Sequence, residues 1–477
     1  MKGNIMTTFA NAVKNQSTRT TNGMKAHVST SNALVDLFFK IGASRGTNIV
    51  PQFTAALAQN KDLALRIAAW SRDVRGGAGE RQLFRDILVY LEQHDPDAAF
   101  ALMQKVPELG RWDDLFVFKT KDMREMAYVM LGEALHEGNG LAAKWTPRKG
   151  PIALELREFF GMSPKQFRKT IVGLTNVVEQ KMCAKDWDNI NFSHVPSVAA
   201  ARYKKAFNRN TVKYAEYVSN LVSGEAGVKV NASAVFPHDV LKGRVSTYPM
   251  EFKKVELDLI QKQWEALPDY VGDANILPIV DVSGSMGVSV KGGSQNLTCM
   301  QVAVSLGLYL ADKNSGKFKD TFMTFSTHPE LLHLNGNINQ KINQMVCSSW
   351  DMSTDIVAAF NKVLSVALEN DVPQEEMPSM LLILSDMQFN QCVRSDDTGM
   401  HILENKFKKA GYAVPKVVFW NLNAYDNVPV KFNKDGAALV SGFSPAIMKS
   451  LLSCNLESFT PESIMLETIM KDRYAVL

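Results

Sequence analysis

From residue 276 onward the chain alternates short apolar runs with helical patterns, and the first run ends in a cluster of oxygen-bearing side chains. Ile276 to Val280 is apolar, rich in branched residues and too short for a helix, and it leads into Asp281-Val-Ser283-Gly-Ser285-Met-Gly287. A run of this kind, closed by a Gly/Ser turn, reads as a buried strand. Helical spacing over residues 296–311 places a helix after the turn. Further strands are expected at 321–325, 330–334, 380–384, 416–420 and 436–442, with helices at 337–346, 355–368, 400–409 and 445–452 between them. Alternation at this pace specifies a doubly wound, Rossmann-like sheet over residues 271–477, and such sheets bind ligands at the carboxyl ends of their strands.

In a tight turn, side chains at i, i+2 and i+4 can aim at one point. The Asp281 carboxylate and the Ser283 and Ser285 hydroxyls are hard oxygen ligands, suited to Mg²⁺ or Mn²⁺ rather than to zinc. Three oxygens leave an octahedron incomplete. Ser353-Thr354-Asp355 opens the helix expected at 355, and Ser385-Asp386 ends the run 380–384, so both lie where they can complete it. Asp281-x-Ser283-x-Ser285, followed by Thr354 and then Asp386, resembles the metal-ion-dependent adhesion site of von Willebrand factor A domains. The resemblance implies that these five residues hold a divalent cation. Ser353 departs from it, since A domains often carry Gly before the threonine. Two rival readings stand beside it: serines capping an ordinary βα turn, and a hydrolase nucleophile elbow at Ser285, which would want Gly where Ser283 stands.

The front of the chain has a different texture. Residues 1–31 are polar, rich in Thr, Asn and Ser, and read as a flexible arm. Residues 32–270 are helical throughout, with apolar spacing of three and four over 33–41, 51–70, 80–91, 97–104, 121–136, 152–160, 163–182 and 255–267. Short connections and the lack of strand patterns suggest antiparallel helix pairs, a HEAT-like α-solenoid, with a junction at 268–273. The expected class is therefore multidomain, α followed by α/β. Charge divides along the same line: residues 1–270 hold 37 Lys and Arg against 28 Asp and Glu, whereas 271–477 hold 16 against 21. A basic front suits a polyanionic partner, and an acidic rear suits a cation. The five cysteines are scattered without a Cys-x-x-Cys, so neither a zinc ribbon nor a disulfide framework is indicated, and a reducing cytoplasm is expected. No apolar stretch at the start resembles a signal peptide, and none approaches the length of a membrane span.

Within the helices, three stretches gather cations. Trp70 to Arg81 places Arg72, Arg75 and Arg81 around three glycines. It reads either as a phosphate-contacting loop or as a tight turn whose arginines pair with Asp73 and Glu80. Leu141 to Pro151 exposes Lys144, Arg148 and Lys149 beside Trp145, either to hold phosphates and stack a base or as solvated charge around a packed tryptophan. Ala200 to Arg209 interleaves Arg202, Lys204, Lys205 and Arg209 with Tyr203 and Phe207. That segment reads as an RNA-contacting helix, or as an amphipathic helix burying its aromatics. Val106 to Leu115 reads as a structural turn around a packed Trp112.

A basic helical region followed by an A-type domain resembles the TROVE proteins, to which the Ro autoantigen belongs. The phrases Arg72-Asp-Val-Arg-Gly-Gly-Ala-Gly-Glu-Arg81, Lys144-Trp-Thr-Pro-Arg148 and Asp281-Val-Ser-Gly-Ser-Met286 look like a phage, bacterial and plant branch of Ro-like proteins. The resemblance implies helical repeats closed into a ring by the A domain. It also implies non-enzymatic binding of RNA, either single-stranded 3′ ends or small structured noncoding RNA. The alternative is a metal-dependent interaction module, in which a partner protein's carboxylate completes the cation's coordination and the helices act as a scaffold. No nucleophile–base pair or acid–base dyad emerges from the sequence, so an enzyme is the weakest reading.

Overall fold

The computed structural model describes residues 17–175, 177–231, 235–241, 254–290, 297–325, 328–346, 354–390, 399–423, 427–454 and 458–477. Its rear half is a six-stranded sheet built from β3 (Ile276–Asp281), β4 (Thr321–Phe325), β5 (Leu331–His333), β6 (Met380–Ser385), β7 (Lys416–Asn421) and β8 (Ala437–Ser441). The spatial order is β5-β4-β3-β6-β7-β8, parallel except for the antiparallel edge strand β5. All six residues of β3 and of β6 are buried, as strands covered by helices on both faces must be. Pro278 lies inside β3, where a proline would normally cost a ladder bond; pairing with β4 begins only at Ile279. The connections run outward in opposite directions from β3 and β6, which makes that pair the topological switch point.

The front half is helical, as its periodicity predicts, with finer divisions. The run 51–70 is two helices, Val50–Gln59 and Lys61–Arg72, because the Asn60 side chain accepts from the Leu63 amide and starts a second helix there. The run 163–182 divides likewise into Pro164–Leu174 and Val178–Cys183. Ser163 begins the first of these with a capping box to Gln166 and a proline at the first turn.

The two halves are not beads on a linker, because one apolar core runs through both. The helix Ala33–Ile41 packs on β8, and its C-terminal Gly42 lies so close that a Cβ would stand 2.7 Å from the Ser441 carbonyl oxygen. The chain end returns to the front half: Arg473 donates to both oxygens of the fully buried Asp73 at 2.5 and 3.0 Å, and the Tyr474 hydroxyl donates to the same carboxylate. Residues 190–221, with Leu259, form a separate smaller core around Phe192, Phe207 and Tyr214.

The flexible arm expected over residues 1–31 is corrected from Ser17 onward. There the chain forms a hairpin of β1 (Ser17–Arg19) and β2 (Lys25–His27), and His27 exchanges backbone hydrogen bonds with Val428, both 2.9 Å. Polar composition predicted solvation, but backbone pairing does not require apolar side chains. Residues 1–16 lie outside the described residues.

Candidate metal centre and basic patch

The switch point brings the expected ligands together. Asp281 ends β3, Asp386 follows β6, and Thr354 precedes the helix Ile356–Glu369. Asp281 Oδ1 accepts from the Ser283 amide at 2.9 Å, and its Oδ2 accepts from the Ser385 hydroxyl at 2.5 Å. The Ser283 and Ser285 hydroxyls lie 3.0 Å apart, the nearby Ser285 holds the Asp386 pKa down, and Asp386 Oδ1 accepts from the Gln388 amide at 3.2 Å. The Thr354 carbonyl accepts from the amide of Asn390, four residues beyond Asp386, at 2.8 Å, which ties the second loop to the third. Ser353, where the chain departs from the A-domain pattern, lies outside the described residues.

The electrostatics of this cluster are unbalanced. Asp281, Thr354 and Asp386 are fully buried. Burial, and then the neighbouring Asp386 charge, push the Asp281 carboxyl up to about 7. Burial likewise raises Asp386. The buried Cys299 thiol is pushed up to about 12, first by burial and then by the charge of Asp386. Two side-chain oxygens, Thr354 Oγ1 and Asp386 Oδ2, are buried without a hydrogen-bond partner. Buried polar atoms are nearly always satisfied, so an orphaned carboxylate oxygen on Asp386, crowded against Asp281, suits a hard divalent cation. Among the described residues no group of three or more His, Cys, Asp or Glu side chains is placed to hold a metal. A cation here would rest on two carboxylates and three hydroxyls. Sequence reasoning did not anticipate Ser385 as the partner of Asp281, although it sits beside Asp386 in the chain.

The basic stretches of the front half resolve less uniformly. Arg72 is not available to a ligand: it is 4% exposed and donates to the fully buried Asp114 at 2.7 Å. The turn reading is right about pairing and wrong about partners. Asp73 pairs with Arg473, and Glu80 accepts from Arg45 at 2.7 and 2.9 Å. Arg75 is exposed, with one guanidinium nitrogen on the Glu108 carbonyl at 3.2 Å.

Arg81 is different. Its side chain is exposed, and its pKa is lowered by burial of part of the guanidinium and by the nearby positive charges of Arg111 and Arg72. Arg111 lies 3.7 Å from the centre of the Trp145 ring, the Lys144 ammonium lies 5.5 Å from the same ring, and Arg85 binds Asp113 and Asp114. Arg111 also donates to both oxygens of Asp113, so Arg72, Arg85 and Arg111 are held by Asp113 and Asp114, while Arg81 and Lys144 add charge beside them. Three separate stretches, 70–81, 106–115 and 141–151, together with Arg85 on the helix Gln82–His94, build this single patch, and Arg111 at its centre lay in a turn expected to be structural. Arg148 and Lys149 are exposed nearby in sequence, with Arg148 reaching the Thr175 hydroxyl at 3.4 Å.

On the helix Ser197–Asn210, Arg202, Lys205 and Arg209 are exposed at spacings of three and four, one stripe of the surface. Lys204 is half-buried, Phe207 is fully buried, and the half-buried Tyr203 reaches Glu179 at 3.3 Å. The aromatics of this helix pack inward, so its outward face offers cations and no stacking platform.

Two family models match the chain, each a domain of unknown function: DUF2828 over residues 20–112 and 153–277, and DUF7788 over 275–473. The uncharacterized protein L728 of Acanthamoeba polyphaga mimivirus is 30% identical over 514 residues, covering 94% of this chain and 86% of that protein. The crystal structure of the Deinococcus radiodurans Ro (RSR) protein overlays on 93% of this chain and 100% of that one, at 13% identity and a TM-score of 0.38. A superposition that loose carries no inference.

Proposed function

We propose, for a chain that belongs to the family of the mimivirus protein L728, that it is a non-enzymatic RNA-binding protein of the Ro-like type. Its helical half would take the RNA, and its sheet half would hold Mg²⁺ or Mn²⁺ at an A-type adhesion site. The observation that carries the RNA reading is the patch of Arg81, Arg85, Arg111 and Lys144 around Trp145, in which cations outnumber the two carboxylates. Exposed guanidinium groups such as that of Arg81 bind phosphate oxygens in forked pairs, and the half-buried Arg85 and Arg111, held by Asp113 and Asp114, add positive charge behind it. Single-stranded ends suit such a patch better than duplex, because their phosphates can bend to it and an unpaired base can stack nearby. The exposed stripe of Arg202, Lys205 and Arg209 adds a second run of phosphate contacts. Among the described residues no helix is long and apolar enough to cross a membrane, and the reading places the protein in the cytoplasm.

The double substitution Arg81→Ala/Arg111→Ala should lower affinity for a 3′-tailed RNA roughly tenfold or more at low salt. It should also flatten the slope of log affinity against log salt by about 1 to 2. Fluorescence anisotropy across a salt series reads both quantities. Unchanged affinity and slope would remove the patch from the RNA reading.

A second reading is favoured by the orphaned Thr354 and Asp386 oxygens. In it the cation site recruits a partner protein's carboxylate, and the helices are a scaffold. It expects binding that EDTA abolishes and RNA does not affect.

A further inference from the structure

The N-terminal hairpin and the loop after β6 are built as one unit. The Thr20 hydroxyl donates to the Phe389 carbonyl at 2.5 Å, the Thr21 amide to the Gln388 side-chain oxygen at 2.7 Å, and the Asn22 amide group to the Gln388 carbonyl at 2.6 Å. Gly23 forms an isolated bridge with Asn390. These bonds grip residues 388–390, just after Asp386, and Asn390 in turn ties the loop to Thr354. Thr20 is 6% exposed, so its bond is shielded from water.

The gripped loop needs holding. Met387, the residue after Asp386, has a φ of 64°, in the left-handed region that non-glycine residues seldom occupy. It persists only where surrounding contacts over-determine it. One such contact is internal, the Met387 amide donating to the Ser385 hydroxyl at 3.0 Å. Others come from Thr354, from the packing of Met387 and Phe389 in the core, and from the hairpin. A two-stranded ribbon with three-residue strands has little stability alone, and this one is anchored at its far end by the paired His27 and Val428.

We propose that the hairpin turn Thr20–Gly23 is a positioning clamp for the third loop of the cation site. Cation affinity would then be set partly by residues more than 360 positions away in the chain. The proposal rests on the cation reading above. The clamp residues touch no cation; they fix the backbone that aims Asp386, as outer partners of metal ligands generally do.

The test compares wild type, Thr20→Val/Asn22→Ala and Thr20→Ser in the full chain. The readouts are Mn²⁺ affinity by electron paramagnetic resonance, melting temperature in EDTA, and amide exchange over residues 387–390. The double variant should bind Mn²⁺ about 10-fold or more weakly and exchange faster over 387–390, while unfolding cooperatively in EDTA only a few degrees below wild type. Thr20→Ser keeps the donor and should restore wild-type affinity. Mn²⁺ affinity unaltered in the double variant, beside a wild type that binds, would overturn the clamp and leave the cation reading standing. A wild type that binds no Mn²⁺ would overturn both.

Discussion

Replacing Arg72 by alanine should destabilise the protein by about 3–5 kcal/mol, the usual cost of removing one partner from a buried ion pair. Arg72 is 4% exposed, and its guanidinium donates to Asp114 at 2.7 Å. Asp114 also accepts from Arg85 at 2.6 Å and from the Arg111 amide at 2.9 Å. It therefore fastens the helix Lys61–Arg72 to the helix Gln82–His94 and to the turn that carries Arg111. The alanine variant leaves this fully buried carboxylate short of its central partner, and Arg85 on the rim cannot replace it. Urea unfolding measures the loss. The folded fraction should bind RNA with the wild-type salt slope, since Arg72 offers nothing to a phosphate. A variant that stays fully stable but loses RNA would reverse the assignment of Arg72 as structural.

The second large effect concerns the cation. Wild type should gain about 2.7 kcal/mol of stability at a Mg²⁺ or Mn²⁺ concentration 100 times the dissociation constant, by mass action alone. Asp281→Asn should lose that gain, because an amide is a poor substitute for the carboxylate that anchors the site. In EDTA the order should invert. There the Asn variant should be at least as stable as wild type, because it removes one of two buried carboxylates that oppose each other's ionisation. Melting scans with metal and with EDTA give the four numbers. Equal responses in the two proteins would show that Asp281 holds no cation.

Much of this architecture was legible in the sequence. The strand–turn–helix around Asp281 is local, so apolar run length and Gly/Ser turns fix it, and the strands found at Thr321–Phe325 and Met380–Ser385 match their apolar runs closely. The residues read as cation ligands, Asp281, Ser283, Ser285, Thr354 and Asp386, were legible as candidates because they sit at or just beyond the ends of readable elements. What escaped was non-local. Arg72 and Arg81 look alike in the chain, and only the fold decides that one faces Asp114 and the other faces Arg111. Arg111 was hidden because its role depends on Trp145, 34 residues away, under its guanidinium. The hairpin at 17–27 was hidden because it is stabilised by backbone bonds to distant segments rather than by a pattern of its own. The Tyr203 and Phe207 pair shows the converse, as helical spacing left two readings and burial of Phe207 settled which face turns inward.

The central claim is that the helical half binds RNA through a patch whose cations outnumber its carboxylates, independently of the metal in the sheet. The measurement that tests it most directly is binding of the wild-type protein to an RNA with a single-stranded 3′ tail and to a blunt duplex. Each titration would be run across a salt series, with Mg²⁺ and with EDTA. The account predicts tighter binding to the tailed RNA, an affinity that falls steeply with salt, and little change when EDTA replaces Mg²⁺. No binding to either RNA at low salt would contradict it and would turn attention to a protein ligand at Asp281.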